Sequence, residues 1–370
     1  MTTLTADAAM VSDRPSTAAR SPFIVSPAFD AFFFFASVTT VLMAWVAASV
    51  FNVNSFLILA TVAVVSNGPH LVSTWTRVYM DQREWRARPV HAFVVPLLIA
   101  AGVVALIVTL GPRGNRILNT VLLYWAVWHF VAQNWGLLRI YQRRSGEADA
   151  SFALRLERPM MFAFVAWCLL HRLQTGPRRL FGTELYYPKI PLPVVDLLLY
   201  ASIAMALAWL VLRLRERGAP WAKSAWIRGA FIACAGVGFY VPFQLITTGD
   251  TTAFAAAACW HGLQYMGIVR YYHRNAWRGG VHPDARIVSW ISQPGWGRLF
   301  LYFAMLLALA GSGYVIIYGG SLLTTGTSWT VYRWGTVVWL SLTFSHYWLD
   351  GVIWKLSRDK RTAERLALES

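Results

Sequence analysis

Residues 90–110, VHAFVVPLLIAAGVVALIVTL, contain no Asp, Glu, Lys or Arg, and apolar runs of this kind recur along a chain of 370 residues. At about 1.5 Å per helical residue, a run of roughly 20 crosses a hydrocarbon core about 30 Å thick. In lipid only a helix or a closed barrel satisfies its own backbone, and these runs lack the alternation of barrel strands. Only 14% of the residues are charged, where a soluble domain carries about a quarter. The pattern predicts an all-α fold, a polytopic helical membrane bundle.

About ten transmembrane helices are expected, near 28–50, 55–75, 90–110, 117–141, 159–175, 193–213, 227–247, 252–272, 297–318 and 329–355. The fifth run is short and polar at its end, which leaves nine spans or a re-entrant segment open. Net charge is +16, and its distribution explains it. With the N-terminus inside, 26 of the 33 Lys and Arg fall in inner loops and tails and 6 in outer loops. That is the bias expected of short cytoplasmic loops, so both termini are expected to be cytoplasmic, in a bacterial-type inner (plasma) membrane. Nucleic acid is therefore not an expected partner. Residues 1–25 read as a disordered cytoplasmic tail, 26–357 as one transmembrane domain and 358–370 as a cytoplasmic C-terminal tail. Cys168, Cys234 and Cys259 all lie in apolar segments, and neither a disulfide framework nor a CxxC metal site is visible.

Four histidines lie inside these runs: His70 in NGPHLVSTWTRVY, His129 in WHFVAQNWGLLRIY, His261 in WHGLQYMGIVRYY and His346 in SHYWLDGVIWK. All fall on even-numbered spans, and each precedes a basic residue: Arg77, Arg139, Arg270 and Lys355. Helical rise puts the imidazoles about 10–15 Å from those basic ends, so the four share one depth. Each has a polar neighbour at i+4, on its own helical face: Thr74, Gln133, Tyr265 and Asp350. The expectation is a shared metal site with His70, His129, His261 and His346 as ligands. Asp350, Gln133 and Tyr265 are expected to orient them or relay protons. Asp350 or His273 is open as a further ligand. The steps from Gln133 to Gly136, Arg139 and Tyr141 recur from Gln264 to Gly267, Arg270 and Tyr272, which suggests duplicated helices. The Arg-x-Tyr endings read as interfacial anchors, and His91, His171, His273 and His282 fall at loops or span ends.

Imidazoles with at most one carboxylate suit Fe(II), Zn or Cu. No nucleophile elbow, P-loop or Rossmann glycine pattern is present, which argues against hydrolase, ATPase and nicotinamide chemistry. The clustered HxxxH and HxxHH boxes of di-iron desaturases are absent as well.

GPHLVSTW, WHFVAQNW, WHGLQY and SHYWLD, in that order, resemble the histidine segments of the Brp/Blh-type β-carotene dioxygenases. The resemblance implies a polytopic membrane protein holding non-haem iron by histidines and cleaving an apolar substrate with O2. It carries an iron-ligand role to His70 and the second histidine segment to His129, while the family's final Pro-His-to-Asp segment is similar to the stretch around His346 and Asp350. Two departures stand out: Tyr265 occupies the place of a second histidine in the third segment, and Trp75 stands where the family has an acidic residue. The expected function is a histidine-ligated, non-haem Fe(II) oxygenase of a lipid-soluble substrate, carotenoid-like or otherwise apolar. O2 is the expected co-substrate, and membrane lipids are the expected surroundings. A haem-binding electron-transfer protein and a proton-coupled transporter using His346 and Asp350 are the alternatives.

Overall fold

A computed structural model describes residues 21–145, 147, 151–219, 222–247, 250–315, 328–355 and 360–366. Among the described residues the fold is all-α apart from a small hairpin, in which Arg179–Leu180 pairs antiparallel with Thr183–Glu184. Among the described residues, six helices are long and apolar enough to cross a membrane: Pro27–Ser49, Ser55–Val78, Val90–Leu110, Leu192–Arg215, Ala222–Leu245 and Trp296–Tyr314. The chain is accordingly an integral membrane protein. Val90–Leu110 shows the physical consequence most clearly, with Leu97 and Leu98 bare on the bundle exterior, where lipid takes the place of a core.

Local chemistry sets the helix boundaries. Asn54 caps Ser55–Val78, its Oδ1 accepting from the Phe56 amide at 2.7 Å. Gly111, at φ +52°, ends Val90–Leu110, and Pro112 starts the next helix with a ring that needs no amide partner. Four more helices match the long ones in length but are more polar: Pro112–Ser145, Phe152–Thr175, Asp250–Ala276 and Ser328–Ile353. Three of them carry His129, His261 and His346, and the Ser55–Val78 helix carries His70.

The fifth helix begins at Phe152, a full two turns before the expected residue 159. The charges at 155–158 look like a loop in the sequence, but Glu157 is buried and makes an ion pair inside the bundle. Its carboxylate accepts from Arg213 (3.2 Å) and Arg228 (3.4 Å), and Glu147 binds the same two guanidiniums, at 2.6 Å from Arg213. All four side chains are no more than 2% exposed. This cluster, in which Arg213 also donates to the part-exposed Glu216 at 2.9 Å, clamps the end of Phe152–Thr175 to Leu192–Arg215 and Ala222–Leu245.

Of the expected N-terminal tail, residues 1–20 lie outside the described residues. Ile24 is fully buried, and the Ile24 and Val25 amides donate to the Asp30 carboxylate at 2.7 and 3.0 Å. At the other end, Lys360–Arg365 folds back as a helix with Thr362, Ala363 and Leu366 buried. Arg365 donates to Glu84 at 3.1 Å and also contacts the Tyr272 hydroxyl. The Arg-x-Tyr endings are not interfacial anchors on all helices. Arg77 is 1% exposed and stacked between Tyr272 and Trp354, at 4.1 and 3.9 Å, and Arg270 is 5% exposed. Tyr141 donates to Asp30 at 2.8 Å and Tyr272 to Glu84 at 3.4 Å. These residues hold helices together instead of snorkelling to water.

Candidate metal centre

Two glycines let neighbouring helices pack closely against the His70 helix. A Cβ on Gly262 would lie 2.5 Å from Ser66 Oγ and 3.2 Å from His70 Cβ, so only glycine admits the His261 helix against the His70 helix here. Gly68 is equally confined, its Cβ position lying 2.7 Å from the Tyr314 ring and 2.8 Å from Ala310 Cβ. The π-helical turn Ala63–Asn67 precedes this contact and Pro69 follows it. A π-turn shifts the register of the residues after it, and such turns recur at functional sites.

Close approach brings His70, His129, His261 and His346 together. One ring nitrogen from each lies within 4.8 Å of the others, and all four side chains are buried. The rings form a closed quadrilateral. Neighbouring centroids are 4.7 Å (His70–His261), 4.8 Å (His261–His129), 5.0 Å (His129–His346) and 4.3 Å (His346–His70), with 6.3 Å across His70–His129. Phe130 stacks on His261 at 4.2 Å, and Tyr347 lies 4.7 Å from His129.

The polar atoms at the centre lack partners. Both ring nitrogens of His70 and His261, Nε2 of His129 and of His346, and Oδ2 of Asp350 are buried without a hydrogen bond among the described residues. Each such atom costs about 1–3 kcal/mol if nothing binds it. Asp350 Oδ2 lies 3.6 Å from His129 Nε2 and 3.7 Å from His346 Nε2, beyond good hydrogen-bond distance. One nitrogen from each of the four rings, with Asp350 Oδ2 near two of them, makes a donor set for a borderline or soft divalent ion.

Thr74 organises the next layer. Its Oγ1 donates to Asp350 Oδ1 at 2.9 Å and lies 2.7 Å from both His346 Nδ1 and the Tyr265 hydroxyl. A threonine hydroxyl has one proton. With that proton on Asp350, the hydroxyl accepts from His346 Nδ1–H, which leaves the Nε2 lone pair facing the cluster. The tautomer is thus assigned by the network. Tyr265 donates to Asp350 Oδ1 at 2.6 Å and accepts from Trp354 Nε1 at 3.2 Å. Replacing Thr74 with valine is expected to weaken metal binding about 10- to 100-fold, the usual cost of losing an orienting partner. Competition with a chromophoric chelator measures it; unchanged affinity would remove Thr74 from the site.

The i+4 neighbours therefore gather at the site, but they serve other helices than their own. Thr74 holds His346, and Tyr265 holds Asp350. Gln133 touches no imidazole: its amide donates to the backbone oxygen of His261 at 3.1 Å and to Gln264 Oε1 at 3.4 Å. His273 is buried apart from the four, with Nδ1 3.1 Å from the Tyr302 hydroxyl. His91 packs 5.9 Å from Trp348 and His171 5.2 Å from Trp167, outside the cluster. The sequence signals gave no hint of Trp354, or of the Ser66–Gly262 contact.

Above the cluster, away from the basic helix ends, lies a cavity of about 800 Å³. Its walls include Leu59, Ala63, Phe181, Phe254, Ala258 and Trp339. Asn67 and Ala258 bound it where His70 and His261 follow three residues later. Comparison of the chain with protein-family models, curated proteins and solved structures finds no match.

Proposed function

We propose that the protein is a membrane metalloenzyme, a non-haem iron oxygenase with O2 as co-substrate and a lipid-soluble substrate. His70, His129, His261 and His346 are the metal ligands, with Fe(II) the preferred ion and Zn or Cu compatible with the same donors. The observation that carries the reading is that one buried ring nitrogen from each of the four histidines lies within 4.8 Å of the others. The mutual contact of the four rings favours a single ion over a macrocycle held between paired axial ligands. A cavity walled chiefly by apolar side chains, beside a site buried in a helical bundle, suits a substrate drawn from lipid. When bound, iron in such a site supplies one-electron redox chemistry and activation of O2.

The chain's own residues hold and aim. Gln133 ties the backbone of His261, Thr74 sets the tautomer of His346, and Asp350 Oδ2 faces His129 and His346 as the atom that takes up or returns a proton. Tyr265, donating to the other oxygen of that carboxylate, is the next proton carrier. In this reading His346 fills the ligand place that Tyr265 leaves in the Brp/Blh-like pattern. We also infer ten spans with both termini cytoplasmic, in a bacterial-type inner membrane. The ten long helices and the excess of Lys and Arg at one set of helix ends support that arrangement.

Metal analysis of purified protein tests the reading. One iron per chain, no Soret band and O2 uptake dependent on added membrane-lipid extract are expected. Substoichiometric Fe, Zn, Cu and Mn after supplementation with each would end it.

A further inference from the structure

Asn67 ends the π-helical turn Ala63–Asn67 and lines the cavity three residues before His70. Its amide has no hydrogen-bond partner among the described residues, although an amide carries two donor hydrogens and an acceptor. The other two asparagines on the wall are occupied. Asn115 Nδ2 donates to Thr183 Oγ1 at 2.9 Å, and Asn119 Nδ2 donates to the Asn115 carbonyl and Oδ1 at 2.9 and 3.0 Å. One amide is thus left open on a largely apolar wall, about one helical turn along the axis from a proposed ligand.

None of the described residues that line the cavity is charged. A carboxylate or phosphate would leave water there without a counter-ion, which is far more costly than placing a neutral oxygen. A pure hydrocarbon would leave the Asn67 amide unpaired. We propose that Asn67 is the specificity-determining residue of the cavity. Its ligand class is an apolar molecule bearing one neutral hydrogen-bonding oxygen, a long-chain or isoprenoid alcohol or ketone. This rests on the cavity being the substrate site of the proposed metalloenzyme. Asn67 pairs with the oxygen and so places the carbon next to it about one helical turn from His70. A polar pocket group rejects an analogue that lacks its partner more strongly than an apolar pocket rejects a small change in size.

The test uses metal-loaded full-length protein in detergent, under nitrogen, with tritiated 1-hexadecanol and hexadecane as matched probes in a scintillation proximity assay. Partition into micelles is the same for every variant, so a change in the alcohol-to-alkane ratio reports the cavity alone. Wild type is expected to favour the alcohol, and Asn67→Leu to lower the ratio by roughly five- to 150-fold. That loss is expected without change in hexadecane binding or metal content. Asn67→Ser, which keeps a hydroxyl, is expected to retain part of the preference. Ala60→Trp, which fills the cavity, is expected to block both probes. An unchanged ratio in Asn67→Leu overturns the proposal, as does loss of metal in that variant, which would make Asn67 structural. Binding of both probes by Ala60→Trp at the wild-type level overturns it together with the cavity's role. Iron stoichiometry in the same samples shows separately whether the metal reading stands.

Discussion

Alanine in place of any one of His70, His129, His261 or His346 is expected to lower metal affinity by more than about a hundredfold. Losing an outer partner of a ligand already costs 10- to 100-fold, and each of these changes removes a ligand outright. The four variants should differ in what else they lose. The rings of His70 and His261 make no hydrogen bond among the described residues, so removing either deprives the metal-free protein of none. His346→Ala also removes the N–H that the Thr74 hydroxyl accepts, leaving that hydroxyl donating to Asp350. Metal analysis with chelator competition gives the affinities, and thermal unfolding of the metal-free proteins gives the structural cost. Metal that survives all four changes would show the histidine layer to be packing or a proton path through His346 and Asp350.

The depth of that layer was readable from the sequence because helical rise is constant. Offsets from His70, His129, His261 and His346 to the next basic residue report distance along an axis, whatever surrounds the helix. Rotation about the axis and the identity of the facing helix are not encoded so directly. The i+4 rule correctly gathered Thr74, Tyr265 and Asp350, yet it paired each with its own helix, whereas the bonds run between helices. The same limit hid Gly262, whose missing Cβ matters only once Ser66 stands against it. It also made Arg77 look like an anchor, since a buried and a snorkelling arginine have the same sequence signature. Glu147 and Glu157 resembled loop charges because their partners, Arg213 and Arg228, lie some 60–80 residues away.

That cluster carries the other large expected effect. Arg228→Leu should destabilise the protein by about 3–5 kcal/mol, the usual cost of leaving a buried charge uncompensated. Glu147 and Glu157 would then share Arg213 with Glu216, and the two carboxylates and that guanidinium are no more than 2% exposed. Removing a carboxylate as well should recover much of the loss. In the Arg228→Leu/Glu147→Leu double variant, Glu157 stays on Arg213 at 3.2 Å, with the part-exposed Glu216 still on the same guanidinium at 2.9 Å, and two leucines fill the vacated space. A buried ion pair replaced whole by apolar side chains is often neutral in stability. Thermal or denaturant unfolding in detergent, read as a double-mutant cycle, should therefore show the double variant more stable than either single one. Simple addition of the two losses would mean that water reaches these charges. Iron stoichiometry should stay at the wild-type level in all three variants, because no residue of the clamp contacts the four histidines. A clamp variant that lost metal in proportion to stability would show instead that the site depends on the whole bundle being closed.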